Sequence, residues 1–264
     1  TLPPTDRAMS ATQPIAGDFF SLLANHSIAP LSTRATDAAP DQTQGTTVFA
    51  FEYSEGVMIV GDRRATAGNV IVTDTVEKVI ELDSHSVLAI AGVPATAFEM
   101  ARVLQTSFEY YRRSQLQSLS LPAKVRALAR LLRENLPMTM QGVGVVVPIF
   151  SGVDHRSEPP RAKSSFYDPL GAQFQAVGFA ATGSGSMTVR SVIRYQENYG
   201  EPRPTEMTRA EAVKFALRLL VTASEFDSAT GGVDPTRDSF ATIRVLSAAG
   251  IETIDAAAQT DSGM

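Results

Sequence analysis

Two adjacent threonines, Thr46 and Thr47, follow Gly45 at a point where the character of the sequence changes. A chain cut after Gly45 would begin with Thr46, whose free α-amine has a reference pKa of about 7.7–8.0 and stands beside the hydroxyl. An amine in this position can activate a threonine hydroxyl as a nucleophile. The motif alone is weak, because threonine is common in strands. The chemistry it indicates is attack on a carbonyl carbon.

Two charged residues further along the chain are candidates to assist such a nucleophile. Asp62 lies in the segment GDRRAT, residues 61–66, directly after an apolar stretch. Lys78 is one of only four lysines in the chain, against nineteen arginines, and it heads another apolar stretch. We expect its ammonium to be partly buried and to need a carboxylate such as Asp62. The alternative interpretation of the first segment is a turn aspartate followed by two solvated arginines.

Composition argues against several other kinds of site. The 264-residue chain has no cysteine, which excludes a thiolate nucleophile, a thiolate metal site and a disulfide framework. Its three histidines, His26, His85 and His155, lie far apart in sequence and do not have metal-ligand spacing. The formal net charge is −5, and no apolar run approaches the ~18 residues of a membrane span. We therefore expect no metal, no cofactor, no nucleic-acid partner and no membrane partner.

Short strands and paired helices must position the candidate residues. Apolar spacing predicts helices that begin at Pro94, at Pro122 and after Ser186, and a fourth at Thr208, which opens a Thr-x-x-Glu capping box. A polar loop is expected over 154–162. The predicted strands are 46–53, 57–60, 69–73, 78–82, 86–91, 142–150, 163–167, 174–181, 240–246 and 251–254.

The order of these elements predicts the fold class. Runs of strands alternate with pairs of helices, and the strict βαβ alternation of a doubly wound parallel sheet is missing. We predict an α+β fold in which two antiparallel sheets pack face to face with two helices outside each. This architecture is a four-layer αββα sandwich.

Residues 1–45 differ in composition from the rest of the chain. They contain five of the fifteen prolines and one apolar patch, Phe19–Leu23, which Asp18 separates from the residues before it. This pattern does not fit a signal peptide. Composition favours a disordered tail, and the alternative is a removable pro-segment whose apolar patch lies against the folded domain.

The motifs taken together resemble those of a proteasome core-particle β subunit of the actinobacterial type, in the N-terminal-nucleophile hydrolase superfamily. The sequence carries them in the family's order as GTT at 45–47, GDRRAT at 61–66, Lys78, IAG at 90–92, TGSGS at 182–186 and DSATGG at 227–232. The resemblance runs from Thr46 to the last predicted strand. It implies that residues 1–45 are a propeptide removed on maturation and that residues 46–264 form the catalytic domain.

The resemblance implies a role for each motif residue around the nucleophile. Thr46 resembles the catalytic threonine, Lys78 the lysine that lowers its proton affinity, and Asp62 the carboxylate that holds the lysine. Gly92 resembles the oxyanion-hole donor. Ser184, Asp227 and Thr230 resemble the polar residues that surround the threonine amine in the family.

Other residues resemble the substrate-binding part of the family's site. Thr66 resembles the residue whose backbone pairs with an extended substrate strand, and Ala65 and Pro94 lie at the same site. Pro94 departs from the family pattern, because a proline has no N–H to align the substrate. Ile90 and Phe98 are expected to shape the side-chain pocket together with Ala65 and Pro94.

The implied activity is that of a threonine endopeptidase made as a zymogen and activated by autocatalytic cleavage between Gly45 and Thr46. The implied partners are other β subunits in a heptameric ring, α subunits in a heteromeric barrel, a ring-shaped ATPase activator, and unfolded or tagged protein substrates in the cytoplasm. Two alternatives remain open. One is a non-catalytic structural β subunit, and the other is a different enzyme of the superfamily, such as an amidase or a simpler two-ring bacterial threonine peptidase.

Overall fold

The computed structural model describes residues 45–68, 70–233 and 240–256. The apolar patch Phe19–Leu23 and nearly all of the predicted propeptide lie outside the described residues. None of the helices in the described part of the chain combines the length and the apolar character of a membrane span.

The first sheet is antiparallel and carries the amino-terminal strand. Its strands are β1 (Thr47–Tyr53), β2 (Gly56–Gly61), β10 (Phe179–Gly183), β11 (Thr242–Ser247) and β12 (Gly250–Ile254). Their order across the sheet is β10-β1-β2-β11-β12. The strand that begins at Thr47 is therefore an interior strand, with a partner on each side.

The second sheet is also antiparallel and five-stranded. Its strands are β5 (Val79–Asp83), β6 (Ser86–Ala89), β7 (Ile149–Asp154), β8 (Arg161–Tyr167) and β9 (Gln173–Gln175), and they lie side by side in chain order. A small separate hairpin is formed by β3 (Ala65–Ala67) and β4 (Val70–Thr73). In this arrangement β5, which follows Lys78 directly, lies at an edge.

The four predicted helices begin within a residue or so of the expected positions, and a short helix that was not predicted lies between the second and third of them. They are α1 (Pro94–Gln115), α2 (Leu121–Glu134), the short α3 (Leu136–Met140), α4 (Ser186–Tyr199) and α5 (Arg209–Phe226), with a 3₁₀ turn at Pro204–Glu206. Both α1 and α2 have a proline in their first turn, where its missing N–H has no helical partner to lose. Thr208 caps α5 by accepting a hydrogen bond from the Glu211 N–H, and the Glu211 carboxylate accepts one from the Thr208 N–H.

Three apolar layers hold these elements together and confirm the predicted four-layer αββα sandwich. Phe49 and Phe51 of β1 pack against α4 and α5, whereas Val48 and Ala50 face the second sheet. The alternation follows from the period of two in a strand, and both faces of β1 are buried. A separate cluster, which includes Phe150, fills the space between the second sheet and helices α1 and α2.

Two strand predictions were wrong. The run 142–150 contains only the start of β7, because Gly142 has a left-handed backbone and Pro148 cannot donate to a ladder. The run 174–181 is two strands in different sheets, with the chain crossing between them at Gly178, whose φ is +79°. In both runs the apolar residues look alike in sequence whether or not they are paired.

The packing of α2 on the second sheet gives a test of the core. Leu128 is completely buried, so Leu128→Ala should lower the free energy of unfolding by about 2–5 kcal/mol through lost apolar contact and the cavity it leaves. Arg126 lies on the exposed face of the same helix, and Arg126→Ala should stay within about 0.5 kcal/mol of the parent. Urea unfolding followed by circular dichroism measures both. Equal losses for the two variants would contradict the assignment of the buried face.

Candidate active site

Thr46 lies directly before β1 and is buried, with 4 % of its surface exposed. Its side-chain Oγ1 donates to the carbonyl oxygen of Gly45 at 2.7 Å. Its own carbonyl accepts from the Ser184 N–H at 2.9 Å and from the Ser184 hydroxyl at 3.3 Å. The Thr46 hydroxyl is thus held beside the carbonyl of the peptide bond that precedes it.

The same Gly45 carbonyl faces a buried cation. Lys78 Nζ donates to Gly45 O at 3.4 Å, to Asp62 Oδ1 at 2.7 Å and to the carbonyl of Arg64. The Lys78 and Asp62 side chains are 3 % and 0 % exposed. Their ion pair is therefore shielded from water and salt, as predicted from the apolar surroundings of Lys78.

Backbone N–H groups complete the environment of the Asp62 carboxylate. Oδ1 accepts from the Thr47 N–H at 2.8 Å, and Oδ2 accepts from the Gly231 N–H at 2.9 Å and from the Arg64 N–H at 3.1 Å. Both carboxylate oxygens are thus hydrogen-bonded, which a buried charge requires. Asp62 thereby joins the start of β1 to the loop that follows α5.

Burial perturbs both members of the ion pair. Desolvation lowers the pKa of Lys78 and raises the pKa of Asp62, and the charge of each partner opposes the shift in the other. The positive charge of Arg64 lowers the pKa of Lys78 further. Lys78 therefore loses its proton more readily than an exposed lysine does.

A chain of hydroxyls lies behind the threonine pair. The Thr230 hydroxyl donates to Asp227 Oδ2 at 2.5 Å and lies 2.5 Å from the hydroxyl of Thr47. Because the proton of Thr230 is used by Asp227, the Thr47 hydroxyl must be the donor to Thr230. Thr47 Oγ1 in turn accepts from the Gly185 N–H at 3.0 Å. Asp227 and Thr230 are thus connected to the site by hydrogen bonds through the Thr47 hydroxyl. Ser184 is connected to it by hydrogen bonds to the Thr46 carbonyl.

Space around the Gly45–Thr46 bond is limited. A Cβ atom at position 45 would overlap Oγ1 of Thr66 and would lie 2.5 Å from the methyl group of Ala229. Gly183 has φ +95°, and a Cβ there would overlap the carbonyl of Thr46. Both glycines are therefore required by close approach of neighbouring atoms.

Gly92 lies two residues beyond Ile90, which contacts Lys78 just after the end of β6. The Ile90 N–H donates to the Lys78 carbonyl at 2.9 Å, which brings this segment beside the lysine. Gly92 has φ +109°, a Cβ there would overlap the Val145 carbonyl, and it forms an isolated antiparallel bridge with Val146. The flanking residues make the hydrogen bonds of this bridge, so the Gly92 N–H is turned away from it.

Some predicted substrate-binding residues stand apart from the network. Within the described residues, the hydrogen bonds around Thr46 do not include Ala65, Pro94 or Phe98. Phe98 lines a cavity of about 470 Å³ beside β5, and the other residues predicted to shape the pocket, Ala65, Ile90 and Pro94, are not part of its lining. No cluster of three or more histidine, aspartate or glutamate side chains suited to a metal ion occurs in the ranges that the structure describes.

Comparison with known proteins identifies the family. The family model described as "Proteasome subunit" matches residues 42–234. "Proteasome subunit beta 2" of Thermomonospora curvata is 42 % identical over 211 residues, covering 80 % of this chain and 72 % of the relative. "Proteasome subunit beta" of Acidothermus cellulolyticus is 39 % identical over 215 residues, covering 80 % of this chain and 71 % of the relative. "Proteasome subunit beta" of Acidimicrobium ferrooxidans is 35 % identical over 239 residues, covering 90 % of this chain and 84 % of the relative. This chain belongs to the proteasome β-subunit family.

Family membership confirms the resemblance and the coarse function. The chain is a proteasome core subunit, and assembly with other proteasome subunits follows from that identity. The matched range begins before Gly45 and ends just after Gly232. It therefore contains every residue of the hydrogen-bonded network around Thr46.

From the sequence, no role was assigned to two residues of the hydrogen-bonded network around Thr46. Thr47 is completely buried and supplies both an N–H to Asp62 and a hydroxyl to Thr230. Arg64 donates from its guanidinium to the carbonyls of Ser228 and Thr230 at 3.2 and 3.3 Å. The solvated-arginine alternative therefore does not hold for Arg64. The sequence signal for Thr47 was a polar residue in a strand that is otherwise apolar. Arg64 has no such signal, because its partners at Ser228 and Thr230 are backbone carbonyls, which every residue has.

The buried ion pair predicts a large cost when one member is neutralised. Asp62→Asn should lower the free energy of unfolding by about 3–5 kcal/mol, because it leaves the Lys78 charge buried without a counter-ion. The partly exposed pair of Lys163 and Asp154 offers a matched control with a similar separation, 2.8 Å, and Asp154→Asn should cost no more than about 1 kcal/mol. Urea denaturation at pH 7 measures both. A cost for Asp62→Asn no greater than that of the control would show that the pair is not effectively buried.

Proposed function

We propose that this β subunit is a threonine endopeptidase made as a precursor, in which Thr46 cuts the Gly45–Thr46 bond. The observation that carries the proposal is the position of one carbonyl group. Gly45 O lies 2.7 Å from the Thr46 hydroxyl oxygen and 3.4 Å from the ammonium of Lys78. A nucleophile and a cation thus meet at the same peptide bond.

The proposed self-cleavage begins with attack of Thr46 Oγ1 on the carbonyl carbon of Gly45. A C–O bond forms, a water molecule takes the hydroxyl proton, and the negative charge that develops on Gly45 O is stabilised by the Lys78 ammonium. The C–N bond to Thr46 then breaks, and the departing amine takes that proton from the water. Water hydrolyses the resulting ester, which releases residues 1–45 with a carboxylate on Gly45 and restores the hydroxyl of Thr46.

The same groups act on peptide substrates once the amine of Thr46 is free. With a reference pKa of about 7.7–8.0, the amine takes the proton of the hydroxyl as it attacks a substrate carbonyl. The Lys78 charge lowers the proton affinity of the threonine, and Asp62 holds the lysine in place. An acyl-enzyme ester forms, and water releases the second product.

The other site residues are proposed to serve binding and support. The turned-away N–H of Gly92 is the proposed oxyanion donor, and the backbone of Thr66 is proposed to pair with the substrate strand, next to Ala65 and Pro94. Ser184, Asp227 and Thr230 are proposed to hold the threonine amine and its neighbours. Their support comes from the hydrogen bonds to Thr46 and Thr47 and from the family's motifs.

The wider assembly is part of the same proposal. Residues 1–45 are the proposed propeptide and residues 46–264 the catalytic domain. The proposed partners are a heptameric ring of β subunits, α subunits and a ring-shaped ATPase that delivers unfolded or tagged proteins in the cytoplasm. The names of the relatives favour this assembly over a two-ring peptidase. The presence of Thr46 and Lys78 at the same Gly45 carbonyl, with Asp62 paired to the lysine, argues against a non-catalytic subunit.

Thr46→Ala tests self-cleavage. The variant has no hydroxyl to attack Gly45, so it should keep all 264 residues after co-assembly with the α subunit, whereas the parent loses residues 1–45. Intact-mass spectrometry over the course of assembly distinguishes the two. Thr46→Ser retains a hydroxyl and serves as the control that should still be processed. Cleavage of Thr46→Ala at the parent rate would overturn the proposal.

The buried lysine predicts a particular pH dependence of peptide hydrolysis. Activity requires the charged form of Lys78, and burial lowers the pKa of this lysine, so the rate should fall as pH rises through a value below the usual ~10.4. Initial rates of peptide hydrolysis by the assembled enzyme between pH 6 and 11 measure this fall in rate. Circular dichroism at each pH confirms that the protein stays folded. Lys78→Ala should reduce the rate at every pH by a factor on the order of 10² or more. Hydrolysis by Lys78→Ala at the parent rate would refute the role of the lysine.

A further inference from the structure

Arg244 connects the two sheets at the edge nearest Lys78. It lies on β11 of the first sheet, and its Nε donates to the carbonyl of Val79 on β5 of the second sheet at 3.0 Å. Its two terminal nitrogens form ion pairs with Glu77 and Glu81. The Arg244 side chain is only 11 % exposed, whereas these glutamates are about half exposed. One guanidinium thus contacts three positions on either side of Lys78.

The strand that Arg244 contacts is an edge strand within the part of the chain that the structure describes. It pairs with β6, and the Lys78 carbonyl accepts from the Ile90 N–H on that side. On its outer side the Val79 carbonyl is taken by Arg244, and the Glu81 carbonyl accepts from the Gln105 side chain at 2.7 Å. Side chains therefore satisfy the outer edge where another strand would otherwise pair.

We propose that Arg244 is a positioning residue for Lys78 and acts through strand β5. The inference rests on the proposed function, because it concerns the work of Lys78 at the Gly45 carbonyl. The Nζ atom must stay within reach of Asp62 and of that carbonyl, and a misplacement of about 1 Å in a site of this kind can cost 10²-fold in rate. Arg244 fixes the backbone of β5 next to Lys78, on the side where the described residues provide no neighbouring strand.

The chemistry of the guanidinium suits this role. Its planar fork bonds a carbonyl and two carboxylates at the same time, which the single ammonium of a lysine does not reproduce. Glu77 and Glu81 bind the same group and therefore lie near each other. Without Arg244, the Val79 carbonyl of β5 loses its hydrogen-bond donor. The carboxylates of Glu77 and Glu81 also lose the positive charge between them, and their mutual repulsion disfavours the present position of β5.

A second arginine provides a matched control. Arg209 also bridges two glutamates, Glu55 and Glu252, at 2.8 and 2.7 Å, and it joins a hairpin turn and β12 of the first sheet to α5. Arg244→Gln and Arg209→Gln each remove one such bridge, but only Arg244→Gln also releases β5. Both variants should be compared with the parent in the assembled complex with α subunits.

The decisive measurements are kcat and KM on a short peptide, the rate of loss of residues 1–45, and the melting temperature. Arg244→Gln should lower kcat about 10- to 100-fold, with KM within about twofold, and should slow propeptide loss to a similar extent. Arg209→Gln should keep kcat within about twofold of the parent, even at a comparable loss of melting temperature. Arg244→Lys retains the charge without the fork and should fall between Arg244→Gln and the parent.

Two kinds of failure are distinguishable. If the parent neither removes its leader nor hydrolyses peptides in the complex, the proposed function fails. If the parent is active and Arg244→Gln matches Arg209→Gln in kcat, or if KM rises in place of the fall in kcat, the positioning role of Arg244 is refuted. Should Arg244→Gln not assemble, Arg244→Lys is judged by the same kcat and KM criteria.

Discussion

The buried ion pair between Lys78 and Asp62 is the interaction on which the rest of the site depends. Removing two charges from water costs several kcal/mol for each ion, and this cost is offset only when all of their hydrogen-bonding capacity is used. Here the donors to Asp62 come from Thr47 at the start of β1 and from two separate loops, at Arg64 and Gly231. The pair therefore requires distant segments of the chain to meet at one end of the sandwich.

The sheet registers bring these segments together. Val48 pairs with Gly61, which places Thr47 opposite Asp62, and the Asp62 N–H donates to the Thr47 carbonyl at 3.1 Å. On the other side of β1, Thr47 pairs with Gly183, so Ser184 arrives beside Thr46. The polar residues occupy strand ends while the strand interiors fill the apolar layers. The site is thus rigid because the core around it is closely packed.

Local signals in the sequence predicted most helices and strands and the buried pairing of Lys78 with Asp62, but not the long-range contacts. Apolar periodicity and capping signals located the helices that follow Pro94 and Thr208, and the motifs pointed to Thr46, Asp62 and Lys78. The split at Gly178 was missed because pairing of strands depends on partners far along the chain. Arg244 carries no signal of its contact with β5, since its acceptor is a backbone carbonyl in another sheet.

The crowding at Gly45 has a consequence for the order of events in the proposed reaction. Gly45 occupies the space in front of the Thr46 hydroxyl, and the nitrogen that should serve as base is still an amide. A foreign chain therefore has neither room nor a working base until the leader is gone. In the proposed reaction, hydrolysis of the ester makes that departure irreversible. Each subunit would then use its first turnover on itself and would be inert toward its neighbours until that point. In this proposal the occupied space and the acylated nitrogen together time the onset of proteolysis, without a separate inhibitor.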